Sequence, residues 1–463
     1  MAQRETVGQR RNRLRIFWDD SLDPRTRSVV GGGVIALGVL AVISGGFGNV
    51  TNSGMLMSVY MGLVVTLILA RRGYYADRVS VFLDRDGERV ETRQKVRPVL
   101  KPDRVQPLHD PSYMTAEEAL EAYPPTTRVM GIVHEGQVRA YPLAVLSYRE
   151  VAHDVIGGSP VAVTWSPFCY TARAFLAPTD SPIKFGSTGR VVINSPVMYD
   201  TDTGVRWLQY LGSPLEGPDI GFRLTEIPSL NTTLEAWIDA YPESEVLDDS
   251  VAPTIDLFDR YYAGGRAGMH GAPHRDARWP PKEIVAGVDV NGDACAFPMS
   301  WLQIEPVVNE TVGEAPLVVV YEEHSASVMA FRAESADGRT LTFEPGIWED
   351  PEDDEDELRD DGAEDVPDDD EEWVEDEEPD YEPMMIYDAE TGSQWQATNG
   401  LCIEGELAGE RLERVVAGLS FWFAWTNFHP STRLPPRPDL SVLAPVTPDP
   451  LDTRDARDAG DEE

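Results

Sequence analysis

Short runs of alternating apolar and polar residues recur from residue 128 onward, and this pattern is typical of half-buried β-strands. The run at 129–142 alternates on both sides of a polar His-Glu-Gly-Gln turn and predicts a β-hairpin. A second hairpin is predicted at 196–209, around a Thr-Asp-Thr-Gly turn. Residues 159–165 and 171–177 are also strand-like and flank a tight turn.

Helical patterns are few in this part of the chain. Residues 145–153 and 234–241 predict short helices, and Pro242 ends the second one. Chains in which runs of strands dominate and helices are segregated form α+β folds. The pattern therefore predicts an α+β fold that is mostly antiparallel β.

The N-terminal region differs, because no charged side chain occurs between Arg27 and Arg71. This stretch is long enough for two membrane-spanning helices, since one helix needs about 20 residues to cross the hydrocarbon. Glycine and asparagine residues between 45 and 54 predict a turn in its middle. We therefore predict a transmembrane helical hairpin within residues 29–70. The alternative, a cleaved signal peptide, requires a shorter apolar stretch.

Arginines flank both predicted spans, and none lies in the loop between them. By the positive-inside rule, both ends of the hairpin face the cytoplasm. The soluble body is then predicted to lie on the cytoplasmic side of the cell membrane. The flanking arginines are Arg4, Arg10, Arg11, Arg13, Arg15, Arg25 and Arg27 before the spans, and Arg71, Arg72 and Arg78 after them.

The body of the chain is internally repeated. A shift of 156 positions aligns residues 131–175 with 287–331 without a gap. Beyond that the shift becomes 188 positions, which aligns residues 199–242 with 387–430. The acidic run 349–380 accounts for the change and is an insertion in the second copy. A repeat of this length predicts two similar domains.

Several residues that the two copies share are predicted to be structural. Asp200 and Asp388 each open a turn toward Thr-Gly, where a carboxylate caps the turn by hydrogen bonding to the backbone. Large aromatic residues at repeated positions are more typical of a core than of a ligand platform. The tryptophans in this group are Trp207, Trp237, Trp395 and Trp425.

These patterns together predict the organisation of the chain. The acidic insertion and tail are poor in apolar residues and repel themselves, so both are predicted to be disordered. In chain order we predict a basic cytoplasmic N-terminus at 1–28, two transmembrane helices at 29–70, a linker at 71–109, a first repeat domain at 110–262, an inter-repeat segment at 263–283, a second repeat domain at 284–435 with the insertion at 349–380, and an acidic tail at 436–463.

The charge balance is extreme. The net charge is -41, and among 39 basic residues only Lys95, Lys101, Lys184 and Lys282 are lysines. Such a surface repels itself at low ionic strength. In molar salt the Debye length is only about 3 Å, so repulsion between charges farther apart than this is screened. We interpret this as adaptation to a high-salt cell. The same surface argues against a nucleic-acid partner, because phosphate contacts need a basic patch.

Specific motifs add a resemblance to a family. The residues that carry it are Val138-Arg139-Ala140-Tyr141-Pro142, His153-Asp154 before Gly157-Gly158-Ser159-Pro160, Val163-Thr164-Trp165-Ser166-Pro167-Phe168-Cys169, Phe185-Gly186-Ser187-Thr188-Gly189, and Tyr199-Asp200 before Thr203-Gly204 and Trp207. Over roughly residues 115–435 this pattern resembles the domain of unknown function family numbered 3179, in a membrane-anchored member of haloarchaeal type with two tandem copies of the pattern. The resemblance implies no known activity.

One departure from the family pattern bears on chemistry. The resemblance implies a Cys-x-x-Cys at the end of the Val-Thr strand, able to do dithiol chemistry or bind a soft metal. Here Ser166 replaces the first cysteine and only Cys169 remains, so dithiol exchange is excluded. Cys169 with His153 is a candidate for an activated thiolate in an enzyme. The alternative is a buried cysteine that packs as a small apolar residue, and a histidine that caps a turn.

In the second copy, Glu322, Glu323 and His324 occupy the same turn. Carboxylates beside an imidazole can hold a cation, so these residues are a candidate metal site; the alternative is a polar hairpin turn. No cofactor motif is present, so the cofactor is left open. Our first hypothesis is a membrane-anchored binding or interaction module, with one functional copy and one supporting copy. Its ligand, a small molecule or a protein, is not identified by the sequence.

Overall fold

The computed structural model describes residues 62, 77–85, 88–178, 182–249, 251–252, 257–346 and 383–438. Within these ranges the chain is mostly antiparallel β-sheet with a few short helices, as the sequence predicts. The predicted membrane spans at 29–70, the acidic insertion at 349–380 and the tail beyond 438 lie outside the described residues. Among the described residues, no helix has the length and apolar character needed to cross a bilayer.

Two sheets belong to the first half of the body (residues 108–248). One sheet, in the order β14-β9-β8-β7-β3, contains β3 (Leu108–His109), β7 (Val151–Ile156), β8 (Ser159–Ser166), β9 (Thr171–Leu176) and β14 (Glu226–Ile227). The other, in the order β15-β5-β6-β16-β4, contains β4 (Ser112–Met114), β5 (Arg128–His134), β6 (Gln137–Pro142), β15 (Ser229–Thr233) and β16 (Glu245–Asp248). Both predicted strand pairs in this region, 129–142 and 159–177, are confirmed.

A third sheet joins the first half to residues that precede it. In the order β1-β2-β10-β11-β12-β13, it contains β1 (Arg78–Arg85), β2 (Glu88–Pro98), β10 (Phe185–Val192), β11 (Ser195–Asp200), β12 (Arg206–Leu208) and β13 (Ser213–Pro214). The linker expected at 71–109 is therefore wrong over residues 78–98. The physical reason is a period-two pattern, in which Val79, Val81 and Leu83 are buried on one face of β1.

The second half (residues 284–438) has three smaller sheets. They are β18-β17-β26, with β17 (Ile284–Val290), β18 (Asp293–Pro298) and β26 (Gly418–Phe421); β19-β20-β21, with β19 (Val307–Val312), β20 (Ala315–Glu322) and β21 (Ser327–Arg332); and β22-β23-β24-β25, with β22 (Phe343–Pro345), β23 (Met385–Asp388), β24 (Gln394–Gln396) and β25 (Leu401–Glu404).

From residue 77 onward, the helices that the structure describes are at most seven residues long. They are α1 (Ala116–Ala122), α2 (Leu143–Arg149), α3 (Leu234–Ala240), α4 (Asp259–Tyr262), α5 (Met299–Leu302) and α6 (Trp422–Phe428), with a 3-10 turn at Gln209–Leu211. The helix expected at 234–241 is confirmed. The helix expected at 145–153 is wrong at its end, because the chain turns at Glu150, which has a positive φ of 59°, and continues as β7. His153 therefore lies on a strand.

The elements recur at the offsets that the sequence gives. Strands β5 to β9 have the same bounds as β17 to β21 shifted by 156 positions, and α3 has the bounds of α6 shifted by 188. Even an isolated parallel bridge recurs, because Arg139 pairs with Glu245 in one half and Cys295 with Arg433 in the other.

Each half places a tryptophan over a glycine of its first hairpin. A Cβ on Gly131 would lie 2.2 Å from the ring of Trp237, and one on Gly287 would lie 2.0 Å from that of Trp425. The indole N–H groups donate to Ser244 in the first half and to Thr432 in the second, both over 2.8 Å. All four repeated tryptophans are buried, which confirms the prediction that they belong to the core.

The halves share their cores. One buried cluster joins Val129, Leu230 and Trp237 of the first half to residues of β19, β20 and β21. A second cluster joins Tyr210 and Cys169 to β17, β18, β26 and α6. Two of the contacts are reciprocal, since β15 lies against β21 and β26 lies against β9. The apolar core of each half is therefore completed by residues of the other half.

Candidate functional site

A charged cleft of about 500 Å³ opens between the two halves. Strand β9, the 3-10 turn and the segment before β14 form one wall; β17, its turn, and α6 with the residue after it form the other. The β1–β2 hairpin closes one end. The lining residues are Asp84, Arg89, Arg173, Phe175, Tyr210, Leu211, Arg223, Leu224, Glu226, Gly287, Asp289, Asn291, Gly292, Val416, Trp425 and His429.

Apolar side chains line part of the cleft. Phe175 is buried and lies against Gly212, where a Cβ would come within 2.6 Å of its ring. Gly212 also has a positive φ of 55°, a conformation that glycine adopts readily. Tyr210 is held by stacking on Phe428, with the ring centroids 3.9 Å apart. The aromatic wall is thus fixed in position by packing.

An ion pair lies at the base of the cleft. Nη1 of Arg173 donates to both carboxylate oxygens of Glu226 over 2.9 Å, and the guanidinium lies 4.8 Å from the ring centroid of Tyr210. Burial lowers the pKa of Arg173, but Glu226 and Tyr210 outweigh it and the pKa is raised. Burial also raises the pKa of Glu226, against the effect of Arg173. Arg173, only 6 % exposed, stays charged.

A carboxylate and an imidazole face each other on the opposite wall. Oδ2 of Asp289 lies 3.4 Å from Nδ1 of His429, whose ring stacks on Trp425 with centroids 3.9 Å apart. Burial raises the pKa of Asp289, but His429, the Gly292 N–H and Arg223 outweigh it and the pKa is lowered. Burial lowers the pKa of His429, against the effect of Asp289, so the imidazole is neutral near pH 7.

Two nitrogens, one on each wall, lack a hydrogen-bond partner among the described residues. They are Nε of Arg173 and Nδ1 of His429, both shielded from solvent. Oδ2 of Asp289, at 3.4 Å, lies at the long end of hydrogen-bonding distance from the imidazole nitrogen. A buried polar atom left unpaired costs about 1–3 kcal/mol, so native proteins retain few of them. Their placement beside one cleft indicates a polar site.

The rim of the cleft is bonded to the β1–β2 hairpin. Arg223 forms an ion pair with Asp84 over 2.8 Å and donates to the carbonyl of Phe82 over 3.3 Å. Arg89, on the other strand of the hairpin, donates to the carbonyl of Gly221 over 2.7 Å. The hairpin therefore contributes charged side chains to the cleft.

The equivalent positions of the repeat, which we call the second crevice, carry different side chains. Met329 replaces Arg173, Arg414 replaces Glu226, Val133 replaces Asp289 and Tyr241 replaces His429. Met329, Trp237, Tyr241 and Phe331 belong to one buried apolar cluster. Core residues thus replace Arg173 and His429 in the second crevice, while Arg414 is half-buried and Val133 is exposed.

The sequence analysis missed the four charged cleft residues. Arg173, Glu226, Asp289 and His429 are far apart in the chain and form no motif. The signal that identifies them is the comparison of the two copies, since a basic or carboxylate side chain is lost at three of these positions and the charge is reversed at the fourth, where Arg414 replaces Glu226. The offsets of the repeat were sufficient to make that comparison.

The structure does not bring Cys169 and His153 together. His153 pairs with Ala162, four residues before the end of β8 at Ser166, and Cys169 lies beyond that end. At about 3.3 Å per residue, the strand end that precedes Cys169 lies roughly 13 Å along β8 from the position opposite His153. Cys169 is also buried, with 0 % exposure, and burial raises the pKa of its thiol to about 12. This is opposite to what an activated thiolate needs.

His153 has a structural contact that recurs in the second half. Its Nε2 lies 3.0 Å from the backbone nitrogen of Phe185 and 3.1 Å from the carbonyl oxygen. In the second half, Asn309 makes both equivalent hydrogen bonds to Phe343, over 2.9 and 2.8 Å. Burial lowers the pKa of His153 to about 4. The histidine therefore ties β7 to β10 as a neutral side chain.

The three candidate metal residues have different surroundings and do not converge on one point. The carboxylate of Glu322 is buried and accepts from the N–H groups of His324 and Ser325 over 2.8 Å. Glu323 is exposed, and Nε2 of His324 lies 3.5 Å from Glu235 of the first half. In the part of the chain that the structure describes, no three His, Cys, Asp or Glu side chains converge as metal ligands. Ser166 has the role of Glu322, accepting from the Cys169 N–H over 3.4 Å.

The turn-capping aspartates behave as predicted. Asp200 accepts from the N–H of Asp202 over 3.0 Å. Asp388 accepts from the N–H of Thr391 over 2.7 Å and also from the indole of Trp395 over 2.9 Å. These carboxylates are therefore part of the fold.

Comparison with known proteins places the chain in one family. No curated protein and no solved structure matches it. A family model described as "Protein of unknown function (DUF3179)" matches residues 102–432, which cover most of the chain and both walls of the cleft. The chain therefore belongs to the DUF3179 family of proteins of unknown function.

Proposed function

We propose that this protein is a membrane-anchored binding protein whose single ligand site is the charged cleft between its two halves. The observation that carries the proposal is the buried Arg173, which keeps an unpaired Nε on the wall of a 500 Å³ cleft. Ligand sites are concave, mostly apolar, and contain a few fixed polar groups. Phe175, Leu224 and Tyr210 supply apolar surface, and the Arg173–Glu226 ion pair and the Asp289–His429 pair supply polar groups.

Duplication of one ancestral domain, followed by divergence of the two crevices, accounts for a single ligand site. The matching strand bounds of the two halves support the duplication. At two of the equivalent positions, Met329 in the second half and Tyr241 in the first, the side chain became part of the core, so one crevice supports the fold and the other forms the site. This division follows from the exchange of Arg173 for Met329 and of His429 for Tyr241.

The membrane anchor and the high-salt setting are further parts of the proposal. The uncharged stretch at 29–70, with arginines only outside it, supports a cytoplasmic body behind a helical hairpin. The net charge of -41 supports a high-salt cell. Circular dichroism during a stepwise reduction of KCl tests the second point. Loss of folded structure at low salt is expected, and unchanged folding would contradict it.

A fragment library screened by ligand-observed NMR in molar KCl tests the ligand site. The informative variant is Arg173→Met with Glu226→Gln, which removes both buried charges together and leaves neither unpaired. Its matched control is Arg414→Met, in the second crevice. We expect bound fragments to be lost in the double variant and retained in the control. An absence of bound fragments, or fragments that bind the double variant equally, would contradict the proposal.

A further inference from the structure

The partner that the cleft lacks must be a hydrogen-bond acceptor. Arg173 has only donors, because a guanidinium carries five N–H groups and no acceptor. Its Nη1 donates to Glu226, while Nε has no partner in the part of the chain that the structure describes. Nε is shielded from solvent, so a group that satisfies it has to insert between the side chains of the wall. The acceptors that match a guanidinium best are anionic oxygens.

The opposite wall is suited to compensate a new negative charge. The charged and polar groups that face the His429 ring are Asp289 from β17, Arg173 from β9, Arg223 from the segment before β14, and the Tyr210 ring. An anion placed among them offsets the two arginines, which otherwise disfavour a protonated imidazole. The imidazole then gains a proton and remains beside Asp289. Anion binding and proton uptake are thereby coupled.

Apolar side chains from both halves also line the cleft. Phe175, Leu211 and Leu224 come from the first half, and Val416 and Trp425 from the second. An inorganic anion would leave this surface in water, whereas an organic acid would bury a hydrocarbon or aromatic group against it. Burial of apolar surface favours binding by about 25 cal/mol per Å². The chemistry of the cleft is therefore that of an amphiphilic acid.

We propose that the charged cleft binds an organic carboxylate, with the anionic group between Arg173 and His429 and the apolar part against Phe175 and Leu224. This inference rests on the proposed function, because it assigns the ligand class of the same site. The second crevice has Met329 and Tyr241 at the corresponding positions. Its own arginine, Arg414, donates to the carbonyl of Thr398 and lies over the Phe331 ring, so this crevice is not a second site.

Isothermal titration of the full chain in molar KCl tests the inference with three probes. Benzoate carries the charge and the apolar ring, benzamide is its neutral isostere, and inorganic phosphate carries charge alone. We expect benzoate to bind at least about tenfold more tightly than either of the others. Equal binding of benzamide would overturn the anionic part, and equal binding of phosphate would overturn the organic part.

The coupling to a proton gives a second readout that a purely structural role would not change. Benzoate affinity should rise as the pH falls from 8 toward 5.5, because the bound state takes up a proton on His429. The expected change is about tenfold for each unit by which the ligand raises the imidazole pKa. In His429→Gln this pH dependence should disappear, whereas Arg414→Met should retain it. A pH dependence that persists in His429→Gln would contradict the assignment.

Failure of this inference can be distinguished from failure of the proposed function. Neutral or cationic fragments that bind the cleft, together with a silent benzoate titration, would retain the ligand site and overturn the carboxylate. Loss of all binding at the cleft would overturn both. If Arg173→Met/Glu226→Gln does not fold, His429→Gln and the three probes on the unchanged protein still decide the question.

Discussion

The charged cleft and the second crevice are built on the same framework but contain opposite chemistry. Each has a glycine on a hairpin beneath a tryptophan, and each has a phenylalanine on the third strand of a meander, Phe175 in one and Phe331 in the other. The charged cleft contains the Arg173–Glu226 ion pair and two nitrogens without a partner among the described residues, whereas Met329 and Tyr241 of the second crevice belong to an apolar core cluster. The framework is therefore structural, and function belongs to the positions where the halves differ.

The largest expected effect comes from separating the buried ion pair. Arg173→Met leaves the Glu226 carboxylate buried without its cation, which should reduce the free energy of unfolding by about 3–5 kcal/mol. Adding Glu226→Gln should restore most of this loss. Urea unfolding in molar KCl, arranged as a double-mutant cycle, measures the coupling. Additive losses from the two single variants would show that the pair is not coupled.

The shared framework gives the next effect. Gly131→Ala and Gly287→Ala each place a Cβ within about 2 Å of an indole ring. Overpacking of this kind typically costs about 1–3 kcal/mol, and the two halves should be affected alike. Thermal unfolding of both variants provides the comparison, with the exposed Gly136→Ala at a positive φ of 75° as a control for backbone strain alone. A loss in only one half would show that the frameworks are not equivalent.

The buried contact of His153 predicts that the free energy of unfolding falls at acidic pH, by an amount similar to or smaller than the effect of overpacking. The folded-state pKa of about 4 lies below the ordinary imidazole value of about 6.5, so the unfolded chain binds the proton first. Stability from the neutral ring is complete above pH 6.5 and is lost between pH 6.5 and 4, to a maximum of roughly 3 kcal/mol.

His153→Asn, which copies Asn309, should remove this loss. It should also preserve stability at pH 7, because an amide can donate and accept where one ring nitrogen does only one of the two. Urea midpoints of both proteins across this pH range test the point. A variant as acid-sensitive as the parent would contradict the structural role of His153.

The smallest expected effect is at Cys169. Ser325 occupies the equivalent turn, so Cys169→Ser should cost about 1 kcal/mol or less. Native protein should react with a thiol reagent only as slowly as unfolding permits, since Cys169, Cys295 and Cys402 are all buried. Labelling rates in molar KCl, compared with Cys402→Ser as a control, test this. Rapid labelling at Cys169 would favour the thiolate enzyme over a binding protein.

Local patterns predicted much of the fold. The hairpins at 129–142 and 196–209 and the helix at 234–241 are confirmed, because their alternation and turn residues act within a few positions. Residues 78–98 were wrongly assigned to a linker. Most side chains of β2 are charged or polar and lie toward solvent, and the buried apolar residues of this hairpin lie mainly on β1. Tertiary pairing with β10 decided their structure.

The candidate site was less accessible to sequence reasoning. Cys169 and Glu322 each stand at the turn after a strand, which is a common place for functional residues. Both side chains are nevertheless buried, and Cys169 belongs to a core cluster shared with the second half. Arg173 lies four residues beyond Cys169 and looked like an ordinary strand residue. Only the packing of two halves brings it opposite His429, and no local pattern records that packing.

The most direct test of the account is a crystal structure of the protein soaked with benzoate in molar salt. The account predicts ligand density in the charged cleft, with the carboxylate within hydrogen-bonding distance of Arg173 and the ring against Phe175. It predicts no density in the second crevice, beside Met329 and Tyr241. Density in the second crevice, or a charged cleft that contains only solvent at saturating benzoate, would contradict it.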